Sequence, residues 1–335
     1  MAWQTQLKGD SVAWLLEKDD PGVRYLALRD LMELSPEDRG LRTARRAAHR
    51  HGPIAVVLDA MDDEGYWFKP GPGYSPKYQA TVWSFILLAQ LGARVEEDKR
   101  LARACAYLLD HALAEGGQFS MTGAPSGTID CLQGNLGWAL LEVGYEDSRL
   151  EAAFEWMARS VTGEGIAPAT DRNATLHYYA SKSGPGFACG YNNHQSCAWG
   201  AIKVLLAFSK VPVRQRTPLM KRAIKQSVEF LFSVDPAMAT YPGGTSSKPS
   251  PNWWKLGFPV FYVTDLLQNV ESLTALGYGR DKRLANALAL IRDKQDDQGR
   301  WSLEYEYRTW VSFGPKRQPN KWVTLRALRV LKAVA

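Results

Sequence analysis

Three short stretches decide the fold: Asp98-Lys99-Arg100-Leu101, Asp147-Ser148-Arg149-Leu150 and Asp281-Lys282-Arg283-Leu284. Each follows a glycine that ends an apolar run: Gly92, Gly144 and Gly277. Glycine closes a helix by entering the left-handed region without steric cost, and Asp caps the first free amides of the next helix. After each cap, apolar residues recur at helical spacing. The stripes are Leu101, Ala104, Cys105 and Leu108; Leu150, Ala153, Phe154 and Met157; and Leu284, Ala287, Leu288 and Ile291. Each runs out roughly 18 residues beyond its Asp, at Gly117, Gly165 and Gly299. Two of the repeats stand about fifty residues apart, the length of a helical hairpin with its loops. The pattern predicts an all-α array of stacked hairpins.

The glycine turns carry a second signature. Asp62-Asp63-Glu64-Gly65-Tyr66-Trp67 and Gln295-Asp296-Asp297-Gln298-Gly299-Arg300-Trp301 both place a tryptophan two residues after the glycine. The latter is similar to the Gln–Gly–x–Trp turn of squalene and oxidosqualene cyclases. A second helix is expected after such a turn, over Tyr78–Leu91, Gln195–Phe208 and Lys321–Leu331. On these residues the chain resembles the terpenoid cyclase and protein prenyltransferase superfamily over most of its length, and especially its stand-alone bacterial repeat proteins. The resemblance implies an α/α toroid occupying residues 1–335 as one domain. Residues 1–51, ahead of the first turn glycines, either join the toroid or form a helical extension packed on it. Trp301–Tyr307 alternates apolar and polar residues and reads as extended. Tyr241–Asn252, rich in proline, glycine and serine, reads as a loop. Both are expected at the rim.

Composition narrows the classes of function. With 45% hydrophobic and 23% charged residues, the chain can bury a large core, which excludes disorder. The amino-terminal segment lacks the apolar core of a signal peptide, and no apolar run reaches the ~20 residues that span a bilayer. These features place the chain in the cytoplasm, where its four cysteines are free thiols or metal ligands. Arg39, Arg42, Arg45, Arg46 and Arg50 form a solvated helix face, and no nucleic-acid-binding motif accompanies them. The 12 Trp and 14 Tyr are enough to wall a cavity for a bulky apolar ligand.

The sharpest chemical constellation is Cys189-Gly190-Tyr191-Asn192-Asn193-His194-Gln195-Ser196-Cys197, with Cys131 available from an earlier hairpin. Thiolates and imidazole suit tetrahedral zinc, so Cys131, Cys189, His194 and Cys197 are candidate ligands, structural or catalytic. The same residues could instead be buried thiols or a metal-free Cys–His acid–base pair of a lyase or isomerase. Protein prenyltransferases bind zinc through an Asp and a Cys two residues apart and a later His; here Asp130 and Cys131 are adjacent. The Asp-x-Asp-Asp run of squalene-type cyclases is absent. Among Trp253, Trp254, Phe258, Phe261 and Tyr262, Asp265 could carry a raised pKa and act as general acid, or it could cap the helix that follows. His177, among aromatic neighbours, is a second candidate acid or base. Trp254, Tyr262, Trp301, Lys321 and Trp322 are expected to line the substrate pocket. The function these features favour is an enzyme acting on an isoprenoid-like or other hydrophobic small molecule. A non-catalytic toroid that binds a partner is the alternative.

Overall fold

The computed structural model describes residues 2–179, 182–243 and 250–335. Among these, the helices in chain order are α1 (Ser11–Leu15), α2 (Pro21–Asp30), α3 (Arg39–Arg50), α4 (Pro53–Asp59), α5 (Thr81–Gln90), α6 (Lys99–His111), α7 (Asp130–Glu142), α8 (Arg149–Thr162), α9 (Ala198–Lys210), α10 (Pro218–Leu231), α11 (Leu266–Ala275), α12 (Ala285–Asp293) and α13 (Lys321–Ala333). Two small strand pairs interrupt them. β1 (Ala167–Pro168) runs parallel to β2 (His177–Tyr178), and β3 (Ala188–Cys189) runs antiparallel to β4 (Gln195–Ser196).

Six helices, α2, α5, α7, α9, α11 and α13, form an inner ring. Each from α5 onward packs on the next, and α13 packs on α2. Gly92, just past α5, lies against Leu26 of α2 and completes the circle. One cavity is lined by Asp30, Gln90, Glu142, Lys210, Ala275 and Ala333. These are carboxyl-terminal residues of all six helices, so the six run in the same direction. The remaining longer helices return on the outside. The fold is an α/α toroid. Helices α2 and α3 lie within residues 1–51 and pack on each other, and α2 also packs on α13.

Burial follows position in the ring. Every residue of Thr81–Ala89 in α5 is buried, as are most residues of α9. Inner helices touch protein on all sides and need no polar face. The outer helix α3 instead buries Leu41, Ala44 and Ala48 on one stripe and keeps its arginines outside. Arg45 of that face reaches Glu97 at 2.6 Å. No helix among the described residues is long and apolar enough to cross a membrane.

The repeated motif has one structure at all three sites. Asp98, Asp147 and Asp281 each accept the amide N–H two residues on at 2.9 Å. Each then receives the Nη2 of its own arginine, Arg100, Arg149 or Arg283, at 2.9, 2.8 and 2.6 Å. Arg100 and Arg149 also reach back to Asp59 and Asp110, at the ends of the preceding outer helices. Such exposed pairs are worth at most about 1 kcal/mol each, so they set register more than stability. Gly144, at φ +81°, closes α7 with bonds from its own amide and that of Tyr145 to Leu141 O and Leu140 O.

The tryptophan turns also match atom for atom. The Trp67 indole donates to Val57 O at 2.6 Å and the Trp301 indole to Ile291 O at 2.7 Å. Their backbone amides donate to Thr81 Oγ1 and Thr324 Oγ1 on the inner helix that follows. Gln133 does the same for Phe119. Trp301 is therefore a buried staple between an outer and an inner helix, and it lines neither cavity described below. This corrects its expected place in the pocket.

Inner helices begin later than expected: α5 at Thr81 and α9 at Ala198. Residues 195–196 are drawn into β4, which shortens the helix expected from Gln195. Trp301–Tyr307 is extended, bridging Pro319 through Ser302 and Gly257 through Tyr305. Of the loop expected over Tyr241–Asn252, residues 244–249 lie outside those described.

The tightest inner contact is between α7 and α9. A Cβ placed on Gly134 would stand 2.1 Å from the Lys203 carbonyl carbon. Backbone meets backbone there, and no side chain can swing away. Gly134→Ala is expected to cost about 3 kcal/mol or more, read as a fall in the urea midpoint. An unchanged midpoint would mean that the two helices are not held so closely.

Candidate functional site

The loop that precedes α11 divides the central hole of the toroid. Gln90 of α5 grips Val260, accepting its N–H and donating to its carbonyl, both at 2.8 Å. Phe258 stacks on Trp322 at 4.7 Å between ring centres, and Phe261 is fully buried. Val260 then faces the cavity at the carboxyl-terminal end of the ring, while Tyr262 faces another at the amino-terminal end.

The amino-terminal cavity holds about 600 Å³ and collects residues from several hairpins. Its aromatic walls are Tyr74, Tyr191, Trp199, Tyr241, Trp253 and Tyr262. Lys77 lies over the Tyr262 ring at 4.2 Å and donates to its hydroxyl at 3.1 Å. Behind them Trp83, Phe261, Tyr78 and Tyr307 continue the ring contacts, with Tyr78 stacked on Tyr307 at 4.4 Å. Cys131, Cys189 and Cys197 line the same cavity.

Each thiol arrives by a different route. Cys131 is the second residue of α7, Cys189 ends β3, and Cys197 is the N-cap of α9. Cys197 donates a hydrogen bond to the Cys189 sulfur and stabilises it as thiolate. The amides of Tyr191 and Asn192 and the charge of His194 add to this, so the Cys189 pKa falls to about 6 against the opposing effect of burial. Burial and the neighbouring Cys189 push Cys131 up to about 12. The first residue of α7, Asp130, is buried, and its Oδ2 has no partner among the described residues. Burial raises its pKa far above the ordinary carboxylate range, so it stays a neutral acid.

The four residues expected to hold zinc do not form a ligand set. Among the described residues, no group of three or more His, Cys, Asp or Glu is placed to hold a metal ion. His194 does not share a helical face with Cys197; it sits in the β3–β4 turn at φ +58°, with its amide on Cys189 O.

Other expected site residues serve the fold. Asp265 caps α11 by accepting from Gln268 N at 2.7 Å. Burial alone would raise its pKa, but the charge and hydrogen bonds of Arg326 hold it below the ordinary value. It is an ionised partner rather than a general acid. His177 places Nε2 2.6 Å from Asp171 O within its own loop and lines neither cavity. The Trp254 indole donates to Ala237 O at 2.7 Å, and its neighbour Trp253 takes the expected place in the wall. Lys321 bonds Glu17 and Asp19 near the amino terminus. Trp322 fills the space left by Gly22, where a Cβ would come within 2.9 Å of its ring. Both seal α13 against the start of the chain. Of the residues expected in the pocket, Tyr262 lines it. Tyr74, Lys77 and Trp199 were missed. So was the buried Lys203, although a lone charge inside the apolar run of α9 was a visible signal.

No family model and no curated protein matches the chain. Among solved structures it is similar to an unsaturated glucuronyl hydrolase specific for heparin, 13% identical, with 94% of this chain and 84% of that one covered at a TM-score of 0.47. It is also similar to the type II terpene cyclase MstE from Scytonema, 13% identical over 87% of this chain and 97% of that one, at a TM-score of 0.32. At these values neither likeness carries an activity or a substrate over to this chain.

Proposed function

We propose that the chain is an enzyme that takes an isoprenoid-like or other hydrophobic small molecule into the amino-terminal cavity, with Cys189 as the reactive group. The observation that carries this reading is the convergence of three thiols on one aromatic-walled space of about 600 Å³. Such walls remove water from an apolar ligand and hold it by area and ring contacts. Cys189 is set to act as base or nucleophile there, with Cys197 beside it as the donor that keeps it ionised.

The test is alkylation of the purified chain by a chloroacetamide across pH. A thiol with a pKa of about 6 is about nine-tenths ionised at pH 7, against roughly one-hundredth for an ordinary one. Labelling at Cys189 is expected to reach half its maximal rate near pH 6 and to be slowed by farnesol or a similar apolar alcohol. Cys189→Ser should remove this fast phase, and Cys197→Ala should move its midpoint upward. An ordinary profile with no protection by any hydrophobic compound would refute the reading and favour a binding scaffold.

A further inference from the structure

Cys189 and Cys197 flank the β3–β4 turn and meet on one face of the hairpin. We propose that they form a redox site, in which a peroxide converts the two thiols into a disulfide. In the antiparallel pairing Cys189 stands opposite Gln195. Cys197 lies two residues beyond Gln195 with its backbone still extended, at φ −103° and ψ 112°. Side chains two apart share a face of a strand. Both sulfurs are thus on the same side, and both residues line the amino-terminal cavity. The Cys197 amide bonds Phe187 O at 3.0 Å and holds the two segments together at this point. The Cys197 thiol donates to the Cys189 sulfur.

The other two cysteines are placed differently. Cys105 is buried inside α6. Cys131 lines the cavity, but it belongs to α7, whose backbone packs directly on that of α9 at Gly134. Cys189 ends a two-residue strand, and Cys197 caps α9 from its first turn. A disulfide needs the sulfurs at about 2 Å, which rotation of two neighbouring side chains brings within reach without moving a helix. The cavity of about 600 Å³ admits a peroxide, and Cys197 is partly exposed. The chemistry balances with the peroxide as the sole oxidant. The Cys189 thiolate attacks one peroxide oxygen, the O–O bond breaks, and hydroxide leaves, taking a proton from solvent. Cys189 is then a sulfenic acid. Cys197 attacks its sulfur, the S–S bond forms, and the S–O bond breaks to release water with the Cys197 proton. Two thiols are oxidised and hydrogen peroxide is reduced to water. Cys189 attacks first because the hydrogen bond from Cys197 favours its thiolate. The inference rests on the proposed function in one respect, that Cys189 is the reactive thiol, and the bridge would silence it.

The test treats the full chain with a stoichiometric amount of hydrogen peroxide at neutral pH. Remaining thiols are captured with iodoacetamide, and the peptides are mapped by mass spectrometry. The expected result is a bridge between Cys189 and Cys197, with two of the four thiols lost. Cys105 and Cys131 should stay alkylated, and dithiothreitol should restore the lost pair. Cys197→Ser should halt the reaction at the sulfenic acid, read as a dimedone adduct on Cys189. Cys189→Ser should give neither adduct nor bridge. Should a variant not fold, the mapping of the native chain decides by itself. A bridge that includes Cys131, a sulfinic acid at Cys189 without a bridge, or retention of all the thiols would each overturn the inference. Fast alkylation of Cys189 slowed by farnesol, with no bridge after peroxide, would overturn this inference alone. A bridge in a chain that no apolar compound protects would leave it standing and sink the substrate reading.

Discussion

Lys203→Met is expected to stabilise the chain, most strongly in mildly acidic buffer. Lys203 lies in the middle of α9 with no exposed surface, and its Nζ donates to Gln268 Oε1. Burial lowers its pKa from 10.5 to about 7. Between those two values the unfolded chain binds a proton that the folded chain does not, so stability rises with pH across that window. Below pH 7 the whole cost applies, and a difference of this size corresponds to about 5 kcal/mol. Methionine keeps the unbranched stem without the charge, and Thr264 still donates to Gln268. The lost hydrogen bond offsets about 1 kcal/mol. A net gain of about 4 kcal/mol near pH 6 is therefore expected, shrinking by roughly 1.4 kcal/mol per pH unit above 7. Urea unfolding of both proteins at pH 6, 7.5 and 9 would read it. A difference that does not change with pH would show that Lys203 carries no buried charge.

The same lysine marks the boundary of what the sequence makes legible. Local chemistry reads well. Asp98, Asp147 and Asp281 cap and Gly92, Gly144 and Gly277 close, because a cap and its amides lie within two or three residues of each other. The tryptophan turns read well as turns, but Trp301 was expected in the pocket and instead bonds Ile291, ten residues earlier. Pairings across the ring do not read. Lys321 and Trp322 were expected to face a substrate because an aromatic and a cation open a helix; their partners, Glu17 and Gly22, lie some three hundred residues earlier. Asp265 was read as a general acid or a helix cap; it caps α11, and the arginine that keeps it ionised is 61 residues further on. The thiols were legible as a group by residue type. What they do together depends on the β3–β4 turn, whose left-handed Asn193 and His194 carry no strong signal in the sequence.

The largest loss of stability is expected from Arg326→Leu. The guanidinium bridges Asp265 at 2.9 and 3.0 Å, Glu271 at 2.8 and 3.0 Å and Gly257 O at 2.7 Å. It thus ties α13 to α11 and to the loop that divides the central hole. Asp265 has no exposed surface, so removing the arginine strands one carboxylate in the core and a second at the edge of a cavity. Breaking a buried ion pair from one side costs about 3–5 kcal/mol, and the upper end applies because two anions lose their partner. Asp265→Asn should cost less, since the amide can still cap α11 and Arg326 retains Glu271. The sign of the pH effect separates charge from packing. With Arg326 present, the Asp265 pKa is depressed, so its contribution is full above the ordinary carboxylate range and lost in acid. Without Arg326, burial raises both carboxylates, and the folded chain takes up protons that the unfolded chain does not. The deficit of Arg326→Leu should therefore narrow as pH falls from 8 toward 5. Pairing Arg326→Leu with Glu271→Leu should restore part of the loss, because one orphaned charge is then gone. A deficit that is flat with pH and merely additive in the double variant would assign the effect to lost packing, not to stranded charge.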